Sequence, residues 1–162
     1  MNTSNIKKYA PQARNDFIAA MRKQAAKYGI TADSILPAEQ KGDLLLIGDQ
    51  VFPLSVMKPR DKLIKRIQTS SFEQTIDYIA YSWFNRLCAI RYMECKGLLD
   101  HGRRVLSSAD GSAGLPQILE ECLDIDLPGL DASRVAELKL DGNKDEELYR
   151  ELLLAQCHAL NQ

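Results

Sequence analysis

The sequence holds little of what catalytic and metal sites are usually built from. Its only histidines are His101 and His158, and neither stands at metal-ligand spacing from a second histidine or a cysteine pair. Cys88, Cys95, Cys122 and Cys157 include no Cys-x-x-Cys spacing, so reduced and mostly buried thiols are expected rather than disulfides or a metal knot. No stretch approaches the roughly eighteen apolar residues of a membrane helix, and the polar start Met1-Asn2-Thr3-Ser4-Asn5 lacks the apolar run of a secretory signal. These absences predict a cytoplasmic protein with no membrane partner. Gly111-Ser112-Ala113-Gly114 is followed by Leu115-Pro116, not by the Gly-Lys-Ser/Thr of a phosphate loop. Asp141-x-Asn143-x-Asp145 opens like a calcium loop, but Glu146 stands where glycine is required and Leu152 where the bidentate glutamate belongs, which leaves an acid-rich helix start. There is no internal repeat and no low-complexity tract. No nucleophile, base and orienting group can be assembled, so the chain alone is predicted to be inactive as a catalyst.

What is present suits a folded core. At 162 residues and 45% hydrophobic composition, residues 1–162 read as a single domain able to bury roughly 68–70% of its unfolded surface. The net charge of −1 conceals an asymmetry: residues 1–70 carry twelve Lys/Arg against six Asp/Glu, and residues 109–162 carry four against twelve. A basic first part attracts phosphate, whereas an acidic last part faces solvent or a basic partner.

The hydrophobic pattern predicts a mainly α fold, a helical bundle around a central helix at about 71–96, with one small β-hairpin at about 43–53. A first helix over 11–28 would take Pro11 in its first turn and Gly29 at its end, and docks through Ala13, Phe17, Ala20, Met21 and Tyr28. A linker with Pro37 and Gly42 follows. Leu44-Leu45-Leu46-Ile47 and Gln50-Val51-Phe52 form the hairpin across Gly48-Asp49. A short helix over 59–69 gathers Leu63, Ile64 and Ile67 on one face. Ser70-Ser71-Phe72-Glu73 reads as a capping box that starts the central helix, whose Ile76, Ile79, Ala80, Trp83, Phe84, Leu87 and Ile90 cover too much of its circumference for a surface helix. Residues 109–114 read as a mobile loop, and further helices are expected at 116–124, 132–139 and 144–160. The last has almost no polar face, as if cut from something longer or paired with another chain.

Two groups of residues bear on function. Lys58, Lys62, Lys65 and Arg66 recur at helical spacing along one face of the helix at 59–69, as contacts to successive phosphates require, and Lys7, Lys8 and Arg14 extend the patch if the chain start packs nearby. The alternatives are a solvated helix face or a docking surface for an acidic partner. In the central helix, Arg86 and Arg91 interrupt an apolar run, and a guanidinium there must find a partner or reach water. Arg91 has Glu94 one turn on. Arg86 has no local acid, so it needs a tertiary carboxylate such as Glu120 or Asp124, a carbonyl, or a ligand phosphate, the internal bridge being favoured. Trp83 and Phe84 read as core rather than as a base-stacking platform.

Two segments carry a family resemblance: Asn5-Ile6-Lys7-Lys8-Tyr9-Ala10-Pro11-Gln12-Ala13-Arg14-Asn15-Asp16-Phe17, and Ala80-Tyr81-Ser82-Trp83-Phe84-Asn85-Arg86-Leu87-Cys88-Ala89-Ile90-Arg91-Tyr92-Met93-Glu94. In this order they resemble the N-terminal region of the PglX-type adenine-specific DNA methyltransferases of type I BREX phage-defence systems. The likeness is most specific over the opening helix and from about Tyr81 to Arg104. It implies N6 methylation of adenine in a short, non-palindromic host sequence, with S-adenosylmethionine as donor. It also implies a much longer parent, continuing into a methyltransferase domain and a target-recognition region. Such an enzyme needs a glycine-rich turn for the cofactor and an Asn/Asp/Ser-Pro-Pro-aromatic tetrapeptide at the base. This chain has neither Gly-x-Gly nor Pro-Pro, so no cofactor is expected in it. The resemblance therefore implies a helical N-terminal accessory domain that packs on the downstream methyltransferase domain and assists DNA clamping or assembly with other BREX proteins. The alternative is a protein-interaction module that docks another BREX subunit, or self-associates through the final helix, without binding nucleic acid.

Overall fold

The computed structural model describes residues 4–160, with side chains from Tyr9 onward. In order the elements are α1 (Ser4–Lys27), β1 (Ala38–Lys41), β2 (Leu44–Ile47), β3 (Gln50–Pro53), α2 (Met57–Thr69), α3 (Phe72–Lys96), α4 (Gln117–Glu120), α5 (Ala132–Asp141) and α6 (Asp145–Ala159). Short 3-10 turns lie at Leu54–Val56 and Cys122–Asp124. The fold is mainly α with a small antiparallel sheet. The chain divides into two compact units, Met1–Phe84 and Asn85–Gln162.

In the first unit, α1 starts earlier than expected and carries Pro11 inside it rather than in its first turn. The proline forfeits one backbone hydrogen bond, yet the helix continues because its later turns dock. Ala13 and Ala25 are buried and Phe17, Ile18 and Met21 half-buried, while Ala20, expected in the stripe, is exposed. The helix ends where the Ile30 N–H reaches the Ala25 carbonyl at 3.1 Å and the Gly29 N–H reaches Ala26 at 2.9 Å, a Schellman closure. Gly29 has φ +69°, and a Cβ there would lie 2.6 Å from Ile47 Cγ2, so no side chain fits without displacing the sheet. Ala25, Ile30, Phe72 and Ile76 form the helical core, with Leu63, Ile64 and Ile67 of α2 packed on it.

The sheet has the order β1-β2-β3, one strand more than the expected hairpin. Leu45 of β2 faces Phe52 of β3, and both are buried with Ile47 against Tyr28, Val56 and Met57. The extra strand, β1, is exposed at all four residues and has no apolar alternation to announce it. Its turn, Gly42-Asp43, nevertheless repeats the Gly48-Asp49 turn of the hairpin, and Gly42 and Gly48 both have positive φ.

At the corner between α2 and α3, the Gln74 N–H donates to the Ser71 hydroxyl at 3.2 Å. The N-cap is therefore Ser71, one residue later than expected. Glu73 pairs instead with Arg22 of α1. Ser70 closes the end of α2: its hydroxyl donates to the Arg66 carbonyl at 3.0 Å and lies 3.0 Å from the hydroxyl of buried Thr75.

In the second unit, Ile90, Leu99, Val105, Ile118, Leu138, Leu148 and Leu152 are buried. α6 uses its apolar residues here: Leu148, Leu152, Ala155 and Cys157 are buried, and Leu160 at its end is exposed. α5 is capped by Asp131, whose carboxylate accepts the N–H groups of Ser133 at 2.9 Å and Arg134 at 3.2 Å. At the segment expected as a mobile loop, Ser108, Asp110 and Ser112 are joined by hydrogen bonds. Hydrogen bonds from the Ser108 hydroxyl and the Ser112 N–H hold the Asp110 carboxyl down to about 2. Two cysteines, Cys122 and Cys157, are buried, whereas Cys88 and Cys95 are exposed, so burial accounts for half of the thiols. No helix among the described residues is long and apolar enough to cross a membrane.

Candidate nucleic-acid interface

The thirteen residues of α2 separate into an apolar face and a charged one. Leu63, Ile64 and Ile67 are half-buried on the core, and Lys58, Lys62, Lys65 and Arg66 are exposed. At about 100° per residue these four cations fall within an arc of about 100°. Asp61, the only acid of α2, flanks that arc. Arg66 lies in the last helical turn, where a cation complements the helix dipole. Its guanidinium carbon sits 3.8 Å from the centre of the Tyr78 ring on α3, a cation–π contact.

Of the residues expected to extend this patch, Arg14 is exposed but engaged with Asp77 of α3 at 3.3 Å. The Lys7 and Lys8 side chains lie outside the described residues. Arg60 was not singled out in the sequence, and it is the arginine of α2 that is buried, at 6% exposure. It donates from Nε to the Tyr28 carbonyl at 2.9 Å and from Nη2 to the Leu36 carbonyl, tying the end of α1 to the approach to β1. The helical spacing held the signal, because Arg60 stands on the face opposite Lys58.

α1 and α3 also frame a groove of about 210 Å³ in the first unit. Ala10, Phe17, Ile18, Ala80, Tyr81 and Phe84 line it, together with the Arg14–Asp77 pair. Phe84 and Trp83 are half-buried, and Phe84 meets Phe17 edge to face at 5.7 Å between ring centres.

Farther along α3, Arg86 is exposed, and its charge acts on Cys157, whose thiol is pushed up by burial and drawn down by that arginine. Arg91 pairs with Glu94, as the spacing implies, and also donates to the Ser107 hydroxyl at 2.8 Å. The Glu94 side chain has no exposed surface. It accepts the N–H groups of Val105 and Leu106, each at 2.8 Å, and the Ser107 hydroxyl at 3.0 Å. Burial pushes this carboxyl up, but the Leu106 N–H, Arg91, Ser107 and the Val105 N–H outweigh it and hold Glu94 below the usual glutamate range. Here the apolar stripe through Ile76, Ala80, Leu87 and Ile90 runs onto a carboxylate, which marks Glu94 as an interior acid.

No family model matches the chain. It is 48% identical over 168 aligned residues to the adenine-specific methyltransferase BrxX of Escherichia coli O9:H4 (strain HS), covering 99% of this chain and 14% of that protein. It is 29% identical over 180 aligned residues to the adenine-specific methyltransferase PglX of Lacticaseibacillus casei (strain Zhang), covering 99% of this chain and 15% of that protein. The chain thus spans about one-seventh of the length of the relatives it matches. Along nearly its whole length it is homologous to one region of the BrxX and PglX adenine-specific methyltransferases.

Proposed function

We propose that this chain is the N-terminal helical accessory domain of a BREX-type adenine-N6 DNA methyltransferase, and that the cationic ridge of α2 lies along DNA phosphates. In this reading the methyl donor, S-adenosylmethionine, and the target adenine are handled by a downstream methyltransferase domain. The accessory domain contributes sequence-independent attraction to the duplex. The observation that carries it is the exposure of Lys58, Lys62, Lys65 and Arg66 on one arc of a helix. A charged face of this kind attracts the phosphate backbone through release of counterions, so its binding weakens steeply with salt. The relatives' description as adenine-specific methyltransferases supports DNA as the polyanion.

The test is a titration of the chain against labelled duplex DNA at two salt concentrations, with light scattering on the same sample. Salt-sensitive binding is expected, and Lys62→Glu/Arg66→Glu is expected to abolish most of it. Unchanged binding and salt dependence in that variant would remove α2 from the interface.

A second reading has its own observation, the apolar groove beside Phe17, Tyr81 and Phe84. A groove of this size accepts one or two large side chains of another protein segment, as in a module that docks a further BREX subunit. That reading expects partner capture with no affinity for DNA.

A further inference from the structure

Arg66 differs from the three lysines of the ridge in being held from two sides. Its carbonyl receives the Ser70 N–H at 3.1 Å, the Ser70 hydroxyl at 3.0 Å and the Thr69 hydroxyl at 2.9 Å, which fixes the end of α2. Ser70 in turn lies 3.0 Å from the hydroxyl of Thr75, a residue of α3 with 1% of its surface exposed. The two helices therefore meet at a tied corner, and Tyr78 stands on the next turn of α3. Across that corner the Arg66 guanidinium rests 3.8 Å from the centre of the Tyr78 ring. A lysine ammonium on a flexible stem must give up its rotamer freedom when it meets a phosphate. A guanidinium held against a ring has already given up part of that freedom, and its planar fork can donate to two phosphate oxygens together.

We propose that Tyr78 is a positioning residue for the DNA contact: it holds Arg66 so that the guanidinium forms the anchoring phosphate contact of the ridge, with Lys58, Lys62 and Lys65 adding mobile charge. This rests on the reading of α2 as a DNA-facing helix. It gives Tyr78 a role other than base stacking, because one face of its ring is taken by Arg66.

The test is a double-mutant cycle on this chain, read as the Kd for labelled duplex DNA at one low salt concentration. Thermal melting of each variant accompanies it. Tyr78→Ala is expected to weaken binding about two- to fivefold, the equivalent of an exposed cation–π contact. Tyr78→Phe keeps the ring and is expected to bind like the parent. Arg66→Lys keeps the charge and loses the fork, and adding Tyr78→Ala to it is expected to cost little more. The proposal is overturned if Tyr78→Ala binds like the parent, or if its loss persists in full in the Arg66→Lys background. Arg66→Lys leaves the ring in place, so the cycle reads even where Tyr78→Ala loosens α3. Loss of salt-sensitive binding in Lys62→Glu/Arg66→Glu with an additive cycle removes the role of Tyr78 alone. A parent chain that does not bind duplex removes the DNA reading and this proposal together.

Discussion

Glu94 shows what one carboxylate can organise. Its two oxygens collect two backbone N–H groups, a hydroxyl and a guanidinium, and so pin residues 105–107 to α3. Every donor is lost or weakened when the group is neutral, which sets the pH dependence. The carboxyl is held below its ordinary range in the folded chain. Its stabilising contribution is therefore complete above the unfolded pKa of about 4.3, and is lost as pH falls through the lower folded value. Glu94→Gln is expected to cost about 3 kcal/mol near neutral pH, because the amide strands a donor and leaves Arg91 without its charge partner. It is also expected to flatten the acid limb of the stability curve. Urea unfolding at pH 7 and at about pH 2.5, below the unfolded pKa, checks both: a variant that loses as much stability as the parent over that interval would mean that other carboxylates dominate the acid response.

At the scale of elements, α2 holds two kinds of basic residue that composition cannot tell apart. Arg60 and Lys62 are two positions apart, which on a helix turns one toward the core and the other outward. Arg60 satisfies two carbonyls, whereas Lys62 lies in water. Arg60→Leu is accordingly expected to lose about 2–4 kcal/mol through the orphaned Tyr28 and Leu36 carbonyls, and Lys62→Leu to stay within about 0.5 kcal/mol, both read from chemical denaturation. Equal effects would mean that the carbonyls at the end of α1 are served by something else. The same helix shows what was legible in the sequence. Its apolar face, the hairpin β2–β3, the long helix α3 and the C-terminal helices announce themselves through periodicity and turn residues. β1 does not, because an exposed edge strand of Ala38-Glu39-Gln40-Lys41 needs no apolar alternation. Nor does the capping register, since Ser70 and Ser71 are chemically identical and only the Ser70–Thr75 hydroxyl contact and the Gln74 N–H on Ser71 assign one to each helix. The cationic arc was readable from spacing alone. The Arg66–Tyr78 contact was not, because it joins residues twelve apart across a corner whose angle no local pattern specifies.

For the molecule as a whole, the net charge of −1 gives no overall attraction to DNA, so binding must come from where the cations sit. This makes the salt dependence quantitative. Each phosphate neutralised on duplex DNA contributes about 0.9 to the slope of log K against log salt. Engagement of Lys58, Lys62, Lys65 and Arg66 together sets a slope of about −3.6, and Lys58→Gln or Lys65→Gln is expected to remove about 0.9 of it. Those glutamines stand on an exposed face, so melting temperature is expected to hold while the slope falls. A substitution in the acidic half, Glu146→Gln, changes net charge by one unit in the opposite sense at an exposed position on α6 and is expected to leave the slope untouched. If Glu146→Gln alters the slope as much as Lys65→Gln does, binding responds to total charge and not to a ridge. If neither lysine variant alters it while the parent binds, the phosphates are met elsewhere on the chain.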